Sequence, residues 1–240
     1  MIASTPDDIW VYLAQTPLLW LTVTLIAYGM GYIAFTRSGS NPIVNPVAIA
    51  AALLIALLLI TDTPYQTYFE GAQFVHFLLG PATVALAVPL YNNLPRVRRA
   101  ALPMAAALAA GVITAVTVAL VVAAALGAET QSLLSLAPKS VTTPIAMGIS
   151  ERIGGLPSLS AGLVVATGIT GAIVVTPLLN LLRIHDWRAR GFAVGIAAHG
   201  IGTARAFQVN QIAGVFAAVA MGLNGLTTAI LVPVLASLFF

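Results

Sequence analysis

Apolar runs, each close to the length of a membrane-spanning helix, recur along almost the whole of this 240-residue chain. A spanning helix needs about 20 apolar residues, whereas a spanning β-strand alternates apolar and polar side chains. The runs are rich in Ala, Leu and Val and lack that alternation. Only 7% of the residues are charged, compared with about 25% in soluble domains. The sequence therefore predicts an all-α, polytopic membrane protein with about seven to eight hydrophobic segments.

The charged residues are ten basic and seven acidic, which gives a net charge of +3. No basic patch is large enough to bind nucleic acid, so we expect the charges to anchor loops. The chain contains no cysteine, which excludes disulfides and thiol chemistry. No nucleophile–base spacing or metal-ligand set stands out. We therefore expect neither an enzyme, nor a metal site, nor a bound cofactor.

The only lysine of the chain lies in the motif Ala-Pro-Lys-Ser-Val-Thr-Thr-Pro at residues 137–144. Pro138 and Pro144 predict a helix interruption, because proline disfavours the α conformation in the residue before it. The alternative is a kinked helix in which each hydroxyl bonds to its own backbone. A lysine at membrane depth is costly unless it faces water or a partner, so we expect Lys139 to bind a carboxylate. The hydroxyl side chains expected to join it are those of Ser140, Thr142 and Thr143.

A second polar motif, His-Gly-Ile-Gly-Thr-Ala-Arg, interrupts the seventh apolar run. Gly200 and Gly202 are expected to let the backbone unwind and approach a ligand closely. Arg205 is suited to grip a carboxylate, and the alternative is that it snorkels to the membrane surface. His199 is either a satisfied packing residue or a group that orients the substrate and carries a coupled proton. The residues assigned to the site from this motif are His199, Thr203 and Arg205.

Four further polar residues are weaker candidates: His76, Thr83, Glu151 and Asn224. Glu151 has the alternative of pairing with its neighbour Arg152, and Asn224 of forming a hydrogen bond between helices. Pro81 is a further expected helix interruption. Residues 79–84 resemble residues 136–141, which is a weak sign of an internal repeat. Three glycines of the sixth run are expected to allow close helix packing: Gly162, Gly168 and Gly171.

The arginines predict the topology, because loops rich in Lys and Arg stay in the cytoplasm. If the first four segments all cross, Arg37 and the arginines at 96–99 lie on one side of the membrane. A fifth crossing would place the cluster at 183–190 outside, whereas a re-entrant fifth segment leaves only Arg152 on the wrong side. The sequence thus favours a hairpin around Lys139.

The seventh segment, at residues 191–207, fits either a broken span or a second hairpin that enters from the cytoplasm. Two hairpins would approach the membrane midplane from opposite faces, which is how secondary transporters build a central binding site. We therefore expect a transporter-like architecture, with an elevator type as one form of it.

Several motifs in this order resemble the LrgB/CidB family. They are LGPATVALAVPLY at 79–91, PKSVTTPIA at 138–146, GGLPSL at 154–159, HGIGTARA at 199–206 and AMGLNG at 220–225. The resemblance covers nearly the whole chain. Bacterial members of this family are described as holin- or antiholin-like proteins linked to murein hydrolase export and autolysis. Plant relatives resemble a plastid glycolate/glycerate translocator, in which an LrgA-like part is fused to the LrgB-like part.

The resemblance implies a multi-pass protein of the bacterial cytoplasmic (inner) membrane that works beside a separate LrgA/CidA-type protein. Lys139 and Arg205 on interrupted helices fit a carrier better than a pore, so we expect a transporter of small monocarboxylates such as glycolate, glycerate or pyruvate-like acids. The alternatives are a holin-type pore and a regulator of autolysis. Residues 1–240 are expected to form one membrane domain, in which 1–62 provide scaffold and homodimer helices and 63–240 carry the substrate site.

Overall fold

The computed structural model describes residues 17–78, 81, 84–85 and 87–239. In these residues it contains eleven helices and no strands, so the predicted all-helical class is confirmed. The chain divides into two compact units, Met1–Ala85 and Leu86–Phe240. The predicted division at residue 62 into scaffold and site-bearing parts stays a prediction.

The first unit contains three helices: α1 (Pro17–Arg37), α2 (Pro46–Ile60) and α3 (Tyr65–Phe77). Asn45 caps α2, since its Oδ1 accepts hydrogen bonds from the N–H groups of Val47 (2.9 Å) and Ala48 (3.1 Å). Trp20 of α1 is fully buried and meets Tyr68 of α3 edge to face, with ring centroids 5.8 Å apart. An aromatic contact and a capped turn therefore hold the three helices together.

The second unit contains eight helices: α4 (Ala87–Asn92), α5 (Leu94–Arg99), α6 (Ala101–Ala125), α7 (Thr130–Leu136), α8 (Thr143–Ile153), α9 (Pro157–Leu181), α10 (Trp187–Val209) and α11 (Gln211–Phe239). Among the described residues, four stretches are long and apolar enough to cross a membrane: Leu18–Arg37, Ala101–Ala125, Pro157–Leu181 and Gln211–Leu238. These stretches make the chain a multi-pass membrane protein. The finer count of seven to eight segments stays a prediction.

Helices α7 and α8 form a hairpin, here called the first hairpin (residues 130–153). Ser135 lies in α7, yet its Oγ accepts a hydrogen bond of 2.7 Å from the N–H of Leu156, which follows α8. Its carbonyl accepts a second bond, of 2.8 Å, from the Ser160 hydroxyl. These contacts require the chain to turn after α7 and to return to the end of that helix once α8 is complete. Gly154 ends α8 with φ of 86°, a left-handed conformation that favours glycine.

Helix α10 is broken and forms the second hairpin (Trp187–Val209). The backbone leaves the helical region at Ala198 (φ −129°, ψ 16°) and His199 (φ 38°, ψ −132°). A Cβ at Gly202 would lie only 3.3 Å from the Val194 carbonyl oxygen, whereas eight residues of straight helix span about 12 Å. The arm after His199 therefore folds back onto the arm before Ala198.

The two hairpins enter the second unit from opposite ends of α9. The first hairpin ends at Ile153, just before α9 begins at Pro157, and the second begins at Trp187, just after α9 ends at Leu181. Helix α11 then runs from the base of the second hairpin. It packs closely against the first arm of that hairpin, because Gly191 and Gly195 bring this arm against the backbone of α11.

Candidate functional site

Asn224 joins the two hairpins at their tips. Its side chain is 1% exposed, and its Nδ2 donates one hydrogen bond to Ser140 O (2.9 Å) and another to Ile196 O (3.1 Å). Ser140 belongs to the turn of the first hairpin, and Ile196 lies two residues before the break in the second. Thr228 donates to Asn224 Oδ1 at 3.3 Å, so the oxygen of the amide is paired as well. A residue of α11 thus holds the two interrupted elements in one place.

The first tip (residues 137–142) carries the lysine motif. Pro138 is buried in a turn in which Lys139 N donates to Leu136 O at 3.0 Å, and Pro144 lies in the first turn of α8. Lys139 is half-buried, with its Nζ 3.3 Å from the Ser140 hydroxyl. In the part of the chain that the structure describes, the one salt bridge joins Asp186 to Arg188, far along the sequence. The ammonium at this tip therefore has no carboxylate partner among those residues.

The second tip (Ala198 and His199) rests on α9. His199 is 4% exposed, and its Nε2 lies 2.9 Å from Val164 O. Because a carbonyl oxygen only accepts, this contact places the ring proton on Nε2. A Cβ at Gly168 would lie 2.7 Å from the ring's Cε1, and a Cβ at Gly171 would overlap Ala198. The two glycines therefore provide the space that the tip occupies.

The positive ends of two short helices converge on the tips. Helix α8 begins at Thr143, and its N-cap Thr142 makes no side-chain capping hydrogen bond. The second arm of the second hairpin begins at Gly200, where Thr203 Oγ1 donates back to His199 O at 2.7 Å. The unpaired N–H groups and the dipole of a helix start both favour an anion. With the Lys139 ammonium beside them, the tips form a region suited to a small anion.

The structure does not bring Arg205 to Lys139. Arg205 lies six residues beyond His199, which is about 9 Å along a helix. It contacts Gln208, with Nη1 at 3.3 Å from Oε1, and lines a small cleft with Trp187 and Arg190 near the base of the second hairpin. This position does not support the expectation that Arg205 binds the same carboxylate as Lys139.

The remaining candidates lie apart from the tips or outside the described residues. Glu151 is exposed in the last turns of α8, at the base of the first hairpin. The side chain of His76 and the whole of Thr83 are outside the described residues. Pro81 has helical backbone, but residues on both sides of it are outside the described part. The non-helical residues of the second hairpin are Ala198 and His199, whereas Gly200 and Gly202 lie in its helical second arm.

Two polar anchors of the hairpins were not among the candidates from the sequence. Ser135, near the end of α7, holds the first hairpin to the start of α9, as described above. Arg190 is buried at 7% exposure, where Nη1 donates to Asn180 Oδ1 (2.8 Å) and Ile184 O (3.1 Å). Its guanidinium also stacks on the Trp187 ring at 4.9 Å. The cluster of arginines at 183–190 was visible in the sequence. The positive-inside rule explained it by membrane topology and gave no reason to expect that one of these arginines is buried against polar partners.

Within the described residues, no group of three or more His, Asp or Glu side chains is placed to hold a metal ion. The donors at the tips are instead an ammonium, hydroxyls, an amide and helix N–H groups. This set suits an oxygen-bearing anion and offers few ligands to a cation.

Comparison with known proteins gives the chain's relatives. The model of the LrgB-like family matches residues 24–238. The uncharacterized protein YwbG of Bacillus subtilis (strain 168) is 36% identical over 193 residues, which are 80% of this chain and 86% of that protein. The antiholin-like protein LrgB of Bacillus mycoides (strain KBAB4) is 31% identical over 219 residues, covering 91% of this chain and 95% of the relative. No solved structure matches the chain.

Proposed function

Because this chain belongs to the LrgB-like family and is a multi-pass membrane protein, we propose that it carries small organic monoanions across the membrane through the region between its hairpin tips. The observation that carries the proposal is the meeting of the two tips at Asn224, beside the half-buried Lys139. Paired interrupted helices that enter from opposite ends are how secondary transporters build a central site.

The chemistry of the tips favours a monoanion. One ammonium and two helix starts supply positive potential, and the hydroxyls of Thr142 and Thr143, both half-buried, lie next to it. A single cation balances one carboxylate, and hydroxyls suit the second oxygen group of a 2-hydroxy or 2-oxo acid. Glycolate, glycerate and pyruvate-like acids are therefore the proposed substrates. His199 holds the second tip on α9 and is proposed to orient this tip relative to the substrate.

The wider setting is proposed on the same basis. The protein would lie in the bacterial inner membrane as a homodimer, with a small LrgA/CidA-type membrane protein as its partner, and would be a carrier and not an enzyme. The segments that bear the two tips would move against residues 1–62 in an elevator-type cycle. Coupling to protons would be one source of energy for this cycle.

The test is counterflow into liposomes that contain the purified full chain. Labelled glycolate, glycerate and pyruvate should each be exchanged at a rate that saturates with concentration. Lys139→Gln should weaken apparent affinity or rate by at least about tenfold, since a hydrogen bond to a charged group contributes about 1.5–3 kcal/mol. The matched control is Arg152→Gln, which removes an exposed cation from the base of the same hairpin. Equal effects of both substitutions would contradict a site at the first tip.

The second candidate function is an antiholin-like one, and the observation that favours it is the name of relatives such as the Bacillus mycoides protein. Such a protein would act as a pore or as a regulator of murein hydrolase export. A pore gives a non-saturable leak that is insensitive to Lys139→Gln. A regulator gives no flux in liposomes, and instead changes autolysis in cells only together with its partner. Either result would replace the carrier proposal.

A further inference from the structure

A large apolar groove runs between α6 and the first arm of the second hairpin. Its volume is about 810 Å³, and small side chains such as Ala107, Ala110 and Ala193 leave this space open. The floor consists of side chains from a buried cluster that includes Met104 and Phe192. The groove reaches Ile196 and Ala197 beside the second tip, but its lining contains none of the residues proposed to hold the substrate anion.

The mouth of the groove is cationic. Arg99, Arg188 and Asp186 line it, and Arg188 is bound to Asp186 at 2.6 Å, so this pair is neutral. Hydrogen bonds from Arg188 hold the pKa of the Asp186 carboxyl below its ordinary value, which keeps the pair ionised. Arg99 remains as the excess charge, and Arg96 and Arg98 lie on the same short helix α5. The apolar groove thus opens at a site that attracts an anion.

The length of the groove matches one leaflet of a bilayer. Its lining extends from Arg99, two residues before α6, to Ala115. The 14 steps from the start of α6 at Ala101 to Ala115 rise about 21 Å. Half of the hydrocarbon core is about 15 Å thick, and the headgroup region adds several more. Since α6 is a candidate membrane span, the cationic mouth would lie among headgroups and the end at Ala115 near the midplane.

We propose that this groove binds an anionic phospholipid, with an acyl chain between α6 and the second hairpin and the phosphate at Arg99. A small hydrophilic anion would gain little from the apolar walls, whereas an acyl chain replaces water along their whole length. A basic residue near the membrane surface attracts an anionic headgroup with about 1 kcal/mol, which is about fivefold in affinity.

A second groove in the same unit provides an internal comparison. It has a volume of about 360 Å³ and is lined by apolar side chains of α6, the first hairpin and α11, including Leu120, Leu134 and Val232. Its lining contains no charged residue. This groove should accept acyl chains without preference for the headgroup, so the proposal concerns the arginine-lined groove alone.

Lipid in the first groove is expected to influence the arrangement of the hairpin tips. The side chain of Ile196 lines the groove, and a Cβ at Gly111 of α6 would lie 3.1 Å from it. The carbonyl of the same residue accepts a hydrogen bond from Asn224, as described above. An acyl chain beside Ile196 therefore supports the arm that leads to the second tip. Occupancy by lipid should stabilise the arrangement in which both tips meet.

The primary experiment is native mass spectrometry of the purified full chain with phosphatidylglycerol or phosphatidylcholine of identical acyl chains. One phosphatidylglycerol should bind per chain in preference to phosphatidylcholine. Arg99→Gln should reduce that preference about fivefold, because one basic contact is lost, whereas Arg98→Gln, outside the lining, should leave most of it. Equal binding of the two lipids, or equal effects of the two substitutions, would overturn the proposal.

The groove itself is tested by filling it. Ala107→Trp places a large side chain in the lining and should abolish the preferred lipid. The matched control Ala109→Trp adds the same side chain to an exposed position of α6 outside the lining and should leave binding intact. Retained binding in Ala107→Trp would show that the lipid lies elsewhere.

A fluorescence measurement distinguishes lipid from protein as the occupant. The natural chain lacks cysteine, so Ala110→Cys supplies a single thiol within the groove for a fluorophore. Brominated phosphatidylglycerol should quench this label more strongly than brominated phosphatidylcholine. Protection of the label from both brominated lipids, or disulfide formation between two Ala110→Cys chains, would mean that a protein surface covers the groove and would refute the proposal.

Discussion

Asn224→Leu should separate the two hairpin tips without leaving a cavity in the core. Leucine is apolar and of similar bulk, but it cannot donate the two hydrogen bonds that reach Ser140 O and Ile196 O. Hydrogen bonds between membrane helices contribute about 0.6–1.7 kcal/mol each, so the loss of two should lower the free energy of unfolding by about 1–3 kcal/mol. Both carbonyls belong to buried residues, which places the expected value toward the upper end of this range.

The assay is unfolding of the purified chain in mixed micelles of increasing dodecyl sulfate content, followed by circular dichroism. Thr228→Val is the matched control, since it removes one buried hydroxyl that donates to Asn224 Oδ1 at 3.3 Å and leaves both tip contacts in place. This control should lower the free energy of unfolding by only about 0.6 kcal/mol.

A distance measurement completes the test. In the naturally cysteine-free chain, spin labels at Thr142→Cys and Ala197→Cys report the separation of the two tips. Asn224→Leu should lengthen or broaden this distance, and Thr228→Val should not. The reasoning fails if Asn224→Leu and Thr228→Val lower stability equally, or if the distance distribution is the same in all three proteins.

Three further predictions concern the supports of the hairpins. Gly168→Ala places a Cβ 2.7 Å from the imidazole Cε1 of the second tip, so the free energy of unfolding should fall by about 1–3 kcal/mol. In the control Gly162→Ala, the new Cβ has no neighbouring atom within 4 Å, so the protein should not lose stability. Ser135→Ala leaves a backbone N–H at the start of α9 without its 2.7 Å acceptor and should cost about 1–3 kcal/mol, measured by the same unfolding assay. The pKa of Asp186 is lowered by hydrogen bonds from Arg188, so its contribution to stability is complete at neutral pH and is lost only as the pH falls through that lowered pKa. Unfolding curves of the natural chain and Asp186→Asn should therefore keep the same difference between about pH 7 and pH 5, and a difference that disappears in this interval would contradict the assignment.

The helical class and the first hairpin were accessible from the sequence because both depend on local or additive properties. Apolar run length determines which segments suit a membrane, and the arginines on the two sides favoured a chain reversal around Lys139. Pro138 and Pro144 flank that turn, since proline restricts backbone conformation wherever it occurs. Gly168 and Gly171, two of the three glycines expected to permit close packing, do so against the second tip.

The contacts between the hairpins were not accessible in the same way. Asn224 was a weaker candidate, yet its amide joins segments 84 and 28 residues away. Its acceptors, like the acceptor of His199, are backbone carbonyls. Every residue has a backbone carbonyl, so the type of the accepting residue does not reveal such a contact. The position of Arg205 could have been anticipated, because nearly two helical turns after His199 carry a side chain away from the tip. The expected helix interruption and the type of side chain had suggested that it binds the same carboxylate as Lys139.

The contacts at the tips relate the two halves of the second unit to each other. The second tip rests on α9, the long helix that follows the first hairpin, through His199 and Val164. The first tip is held by α11, the long helix that follows the second hairpin, through Asn224 and Ser140. Each hairpin tip therefore contacts the long helix that follows the other hairpin.

In the proposed carrier, opening at either tip would require that tip to leave the long helix that it contacts. The chemistry of the two tips nevertheless differs. The first offers the Lys139 ammonium with the Ser140 hydroxyl beside it, whereas the imidazole of the second is bound to a carbonyl of α9. In the proposed carrier, a change at Lys139 should therefore act mainly on the affinity for the anion. A change at His199 should act mainly on the rate at which the second tip leaves α9. In this proposal, substrate binding and opening therefore depend on different tips.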